Sequence, residues 1–182
     1  MPDTDPGQAL LRLLAEQPET ARDLSLVADF DITRRDPVEN LSIPSGEPLE
    51  VVAGDAAGGS YYLVGEEKAA RRPVLYADSE GGASLVAADL AEALSVFIAL
   101  AWWQDAGYGT DLAALEAEVR ENEPDIDELR AGLTVALGLP VISRERAREL
   151  LLAAAARTAP DRVPIADFAD ATPYDLLFEP AG

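Results

Sequence analysis

The chain has no cysteine, no histidine and a single lysine among its 182 residues. Without cysteine there is neither a disulfide framework nor thiolate chemistry, which suits a reducing, cytoplasmic setting. Without histidine the commonest general base and the commonest metal ligand are both missing. Serine and threonine are left with carboxylate or lysine helpers. Lys68 falls in an exposed-looking turn, so nucleophile–base pairs fail first. Basic charge is scarce too: 14 Lys and Arg stand against 34 Asp and Glu, a net charge of −20. Such a balance repels nucleic acids and anionic membranes, whose binders carry basic patches. No apolar run approaches bilayer-spanning length. The acidic start Met1-Pro2-Asp3-Thr4-Asp5 lacks the basic region of a signal peptide. The expectation is a soluble cytoplasmic protein that binds neither nucleic acid nor membrane.

What is present is 48% hydrophobic, enough to bury a core. The length fits one domain, or one domain with an extension. Four short apolar runs dominate the middle: Leu49–Ala53, Tyr61–Val64, Val74–Ala77 and Leu85–Ala87. Gly- and charge-bearing breaks separate them, which predicts a β-meander. The connections are too short for parallel crossovers, so neighbours must run antiparallel. Tyr61 and Tyr62 then point to opposite faces, one into the core and one onto the outer face. At Asp89 the period switches: Leu90, Leu94, Phe97, Ile98 and Ala101 recur at helical spacing behind a good N-cap. A sheet over 48–88 with an Asp89–Trp103 helix on one face is expected.

The flanks are mostly helical in pattern. Asp5-Pro6 opens a helix carrying Leu10, Leu11, Leu13 and Leu14 that stops before Pro18. Thr20–Thr33 alternates Leu24, Leu26 and Ala28, which admits a strand. On it Asp29 and Asp31 would share a face as a possible cation site. With no further ligand nearby, a solvated pair around a buried Phe30 is preferred. Asp36-Pro37 can cap one turn of helix through Leu41. After Gly107-Tyr108-Gly109, Thr110 is expected to cap a helix of Leu112, Leu115 and Val119. Pro124 starts a second, with Gly138 as its stop, and Ser143 caps a third. These three, Thr110–Arg157, are too apolar on one stripe to remain in water. The division expected is a core over 1–109 and a helical extension over 110–182 packed on it. Tyr174–Phe178 is an apolar knot that should dock.

No residue set looks catalytic. Gly58-Gly59 lacks the lysine and the following helix of a phosphate loop, so a turn is the better reading. Carboxylates are everywhere and therefore single out no glycosidase pair. The dense spacing of a calcium loop is missing. Arg71-Arg72 reads as the fringe of a strand. The chain is expected to be non-enzymatic, with no cofactor and no metal.

Three stretches together carry a family pattern. They are Leu49–Asp55 with Gly58-Gly59-Ser60-Tyr61-Tyr62-Leu63; Pro73-Val74-Leu75-Tyr76 with Ser79-Glu80-Gly81; and Ala87-Ala88-Asp89-Leu90 leading into the Phe97 helix. The pattern resembles the core of the SUKH superfamily over about Pro48 to Trp103, under a third of the chain. The resemblance implies an α+β fold, a curved, mainly antiparallel sheet flanked by helices, here with a helical C-terminal extension. It also implies an immunity protein that neutralises a basic, nuclease-type toxin of a polymorphic toxin system. The alternative is a cytoplasmic regulatory or scaffold module with no toxin partner. An acidic inhibitor suits a basic toxin, because opposite charge steers the encounter. Solubility alone accounts for the charge equally well. The candidate partner-binding residues are Asp55, Asp78, Glu80, Trp103 and Asp105. Trp102 and Trp103 lie about 100° apart on a helix, so one can pack while the other sits at an edge as an anchor. Packing of both beneath the C-terminal helices is the blander and preferred reading.

Overall fold

The computed structural model describes residues 5–179, so Met1–Thr4 of the acidic start lies outside the described residues. Helix α1 (Pro6–Glu16) begins as its sequence asks. The Asp5 carboxylate accepts the Gly7 N–H at 2.9 Å and Pro6 occupies the first turn. Helix α2 (Pro18–Ala28) replaces the strand expected over Thr20–Thr33. A strand would have turned Leu24, Leu26 and Ala28 inward together. The helix buries Leu24, Val27 and Ala28 and leaves Leu26 exposed. It ends on Asp29 in the left-handed conformation. Phe30 is buried as expected.

The turn of helix expected after Asp36 does not form, and Val38 is left exposed. The chain instead extends into β1 (Leu41–Ser42) and then β2 (Leu49–Gly54), β3 (Ser60–Val64), β4 (Val74–Ala77) and β5 (Gly82–Ala87). Strands β2 to β5 pair antiparallel in sequence order, with Val51 opposite Tyr62, Tyr62 opposite Leu75 and Leu75 opposite Leu85. Helix α3 (Leu90–Ala99) follows, capped by Asp89, whose Oδ1 accepts the Glu92 N–H at 2.9 Å. It stops at Leu100 rather than running to Trp103, which sits in a short 3-10 turn, Trp103–Asp105. Three more helices come next: α4 (Leu112–Asn122), α5 (Ile126–Leu137) and α6 (Arg144–Ala155). The cap of α4 is Asp111, not Thr110, since its Oδ1 accepts the Ala113 and Ala114 N–H groups. Gly138 ends α5 at φ +63°, a conformation that favours glycine. Ser143 caps α6 through the Arg146 N–H.

The tail then returns to the sheet, which its sequence did not announce. Strand β6 (Ile165–Ala166) pairs antiparallel with β1, and β7 (Asp175–Leu176) adds to β5 in parallel. The fold is α+β, with an open five-stranded sheet ordered β2-β3-β4-β5-β7. One face carries Val52, Tyr61, Leu63, Val74, Tyr76 and Val86 into the main core beneath the helices. The other face, expected to be an outer one, is covered as well. Tyr62, Val64, Leu75 and Leu85 pack with Ile43, Ala154 and Tyr174. Helix α6 straddles the free part of β5, with Leu151 and Ala155 in the first core and Ala154 in the second. The Thr158 hydroxyl accepts the Leu85 N–H at 2.9 Å. A side chain thus closes a strand edge that would otherwise expose a donor. No helix among the described residues is long and apolar enough to cross a membrane.

Candidate functional site

The two loops singled out in the sequence meet at one end of the sheet. In an antiparallel meander alternate turns share an end, and here they touch: the Ser79 hydroxyl donates to the Ala57 carbonyl at 3.1 Å. Each loop is wired by its own aspartate. Asp55 Oδ1 accepts the Ala57 and Gly59 N–H groups at 2.9 and 2.7 Å. Asp78 Oδ1 accepts the Glu80 and Gly82 N–H groups at 2.8 and 2.7 Å. Asp55 is buried, and its Oδ2 accepts the Tyr76 hydroxyl at 2.5 Å. Glycine is required beside this pair. A Cβ on Gly59 would lie 2.5 Å from both Asp55 Oδ2 and the Tyr76 hydroxyl oxygen. Burial, with the Asp55 carboxylate behind it, pushes the Tyr76 phenol up, so it stays a donor.

Two of the five expected contact residues are therefore interior. Asp55 is a loop-fixing group, and Trp103 is fully buried. The Trp103 ring stacks on Phe97 at 5.2 Å, meets Tyr76 edge-on at 5.0 Å and packs on Phe178 at 6.3 Å. Its aromatic neighbours leave no surface for a partner, so Trp103, a candidate contact residue, is corrected to a core residue, as the blander reading has it. Asp78 is half-buried and occupied by its own loop. Glu80 and Asp105 are exposed. Among the described residues no hydrogen bond joins Asp105 to either loop, and its carbonyl accepts the Thr110 hydroxyl.

What the sequence reading missed lies beside Glu80. The tail brings Thr172–Asp175 to the second loop, where the Asp175 N–H donates to the Gly81 carbonyl at 2.8 Å. Tyr174 donates to Glu39 Oε2 at 2.6 Å, tying the 37–39 segment to the tail. Burial and the Glu39 carboxylate raise the Tyr174 phenol, which remains protonated. Glu39, Ser79, Glu80, Phe168, Tyr174 and Asp175 line an open depression of about 330 Å³. Phe168 is 61% exposed there, and Val38 is 70% exposed next to the first loop, near Gly58. The segments 37–39, 55–59, 78–81 and 166–175 contain seven acids and no Lys or Arg, while Arg34 stands against Gly54 at the foot of the first loop. Phe168 carried no local signal of its own, since Phe30 lies between acids in the same way and is buried. No group of three or more Asp or Glu among the described residues is arranged to hold a metal ion.

Comparison with protein-family models, curated proteins and solved structures returns no match to this chain.

Proposed function

We propose that the chain is a non-enzymatic protein-binding domain of the SUKH type, an immunity protein that neutralises a basic toxin domain. The acidic end of its sheet is the contact surface. The observation that carries this reading is the convergence of three cation-free segments, 37–39, 78–81 and 166–175, on a depression that holds an exposed aromatic ring. Glu80, Glu39 and Asp175 supply a negative field, and Phe168 supplies a rigid apolar anchor of the kind that dominates binding energy. Steering by the acids raises the on-rate toward a basic surface, and burial of the ring slows dissociation. The resemblance of Pro48–Trp103 to the SUKH core and the net charge of −20 support the same reading.

The test is binding to a purified basic domain encoded next to the gene, followed at about 0.1 and 1 M salt, where the Debye length is about 10 and 3 Å. The expected result is an on-rate that falls with salt. Glu80→Lys should bind more slowly, and Phe168→Ala should dissociate at least about tenfold faster, the scale of one interface hot spot. Tight binding untouched by salt and by both substitutions would move the site elsewhere. Absence of any neighbouring partner would favour a regulatory or scaffold module.

A further inference from the structure

A further cavity lies away from the acidic loops, between the C-terminal half of α3, helices α4 and α5, and the segment leading into α6. Its volume is about 440 Å³, within the size range of small-molecule pockets. Its walls are unusual for this chain, because Arg120, Arg130 and Arg144 all line it. Among the described residues the three share one buried carboxylate, Glu116, which is 3% exposed.

The three guanidiniums are not equally engaged. Arg130 is fully committed. It grips both Glu116 oxygens, at 2.5 and 3.1 Å, and its remaining N–H groups go to the Ile98 and Ala99 carbonyls at the end of α3. Arg120 divides itself between Glu116 at 3.4 Å and the exposed Asp127 at 3.3 Å. Arg144 is left over. Its nearest carboxylate oxygen, on Glu116, is 3.8 Å away, and it makes no hydrogen bond among the described residues. The hydroxyls of Ser95, Thr134 and Ser143 are each engaged with backbone. Glu145 also lines the cavity but is exposed and can turn to water. Asp127 also lines the cavity, paired with Arg120 and Arg130, and the rest of the wall is apolar: Ile98, Ala99, Ala131, Pro140, Val141 and Ile142, with Val141 85% exposed.

A guanidinium fork with no hydrogen bond of its own among the described residues, beside an apolar wall, is complementary to a carboxylate on an apolar stem. Arginine binds a carboxylate through two parallel N–H bonds, and the adjoining wall removes hydrocarbon from water. We propose that this cavity is a binding site for a small organic carboxylate, held by Arg144 with help from Arg120 and lodged against Pro140–Ile142. Arg130 and Glu116 are the fixed frame of the site, and the acidic loop end takes no part in it.

The probe is hexanoate, titrated into the full chain and followed by amide and methyl NMR shifts. Acetate, hexanol, hexylamine and inorganic phosphate serve as controls. Acetyl-Ala-Leu and its C-terminal amide distinguish a free acid from a chain terminus. The expected result is saturation by hexanoate with a Kd on the order of 1 mM for a ligand of this size. Shifts should be confined to residues 98–99, 131–134 and 140–144, and the neutral and cationic analogues should not saturate. Arg144→Gln, with its fold checked by circular dichroism, should weaken hexanoate at least about tenfold, the loss of one charge-assisted pair. Tighter binding of acetyl-Ala-Leu than of hexanoate, lost in its amide, would identify the carboxylate as a chain terminus. The proposal is overturned if neither acid saturates, if Arg144→Gln binds as the parent does, or if phosphate binds as tightly as hexanoate.

Discussion

Replacing Tyr76 by Phe isolates one oxygen at the base of the acidic end. The ring contacts survive, because Tyr76 packs on Tyr61 and Trp103 through its aromatic face and edge. What disappears is the hydroxyl donating to Asp55 Oδ2 at 2.5 Å. Asp55 keeps its two loop amides on Oδ1, but Oδ2 is left without a hydrogen-bond donor in a residue only 3% exposed. A hydrogen bond to a charged group is worth about 1.5–3 kcal/mol, and the buried acceptor stays behind to lose it in full. At about 2–4 °C per kcal/mol for a chain of this length, the midpoint should fall by roughly 3–12 °C. Urea denaturation at neutral pH and a thermal scan measure both. A double-mutant cycle with Asp55→Asn separates the bond from general packing. With the charge gone, Tyr76→Phe should cost at least about 1 kcal/mol less than in the parent. Amide exchange at Ala57 and Gly59 should quicken in Tyr76→Phe as their shared acceptor loosens. A stability loss below about 0.5 kcal/mol, the ordinary scatter of surface substitutions, would falsify the view that this pair fixes the loop.

Thr158→Val keeps the shape of the side chain that closes the edge of β5 but removes the acceptor of the Leu85 N–H. It should cost about 1–3 kcal/mol by urea denaturation, whereas Thr158→Ser should cost far less. Glu47 gives a pH dependence. The hydrogen bond from Arg162, and after it the Ser45 hydroxyl, hold its carboxyl below the usual range. A carboxylate with a lowered folded value contributes stability that is complete above its unfolded value of about 4.3 and is lost as pH falls through the folded one. Arg162→Gln should therefore lie below the parent at neutral pH by under about 1 kcal/mol, the pair being partly exposed. The two curves should converge in acid, and a gap that persists to about pH 2 would point to lost packing instead.

The meander was legible because its signal is local. Period two in the runs, glycine and acid in the breaks, and an N-cap at Asp89 are all short-range features, and β2 to β5 fall where they predict. The misses are long-range. The same local pattern, an aromatic ring among acids, occurs as Asp29-Phe30-Asp31 and as Asp167-Phe168 followed by Asp170. Phe30 is buried against Tyr61 at 4.9 Å, while Phe168 stands in water. Nothing within either pentapeptide decides this; the difference comes from whether a sheet lies beside the ring. Trp103 failed as a surface anchor for a related reason. Helix α3 ends before Trp103, so the angle between adjacent helical residues does not hold there, and Phe178 arrives from the far end of the chain to seal the ring. The second face of the sheet was equally hidden from the sequence. The residues that cover it, at 41–43 and 165–174, form strands too short to show a period.

The placement of the cations gives the net charge its meaning. Part of the scarce positive charge is turned inward or paired. Arg72 is 3% exposed and lies 2.6 Å from Glu50, Arg130 grips Glu116, Arg162 holds Glu47, and Arg71 reaches Asp89. Each of these pairs fastens segments distant in sequence, so these four arginines act as ties. Other cations, Arg12, Arg22 and Arg157 among them, stand exposed elsewhere, and the segments 37–39, 78–81 and 166–175 carry none. Had acidity served solubility alone, basic residues would do no harm on those loops, and interspersed signs would serve as well. The absence of Lys and Arg from the three segments that line the depression, together with the ring of Phe168 left in water, fits the proposed basic partner.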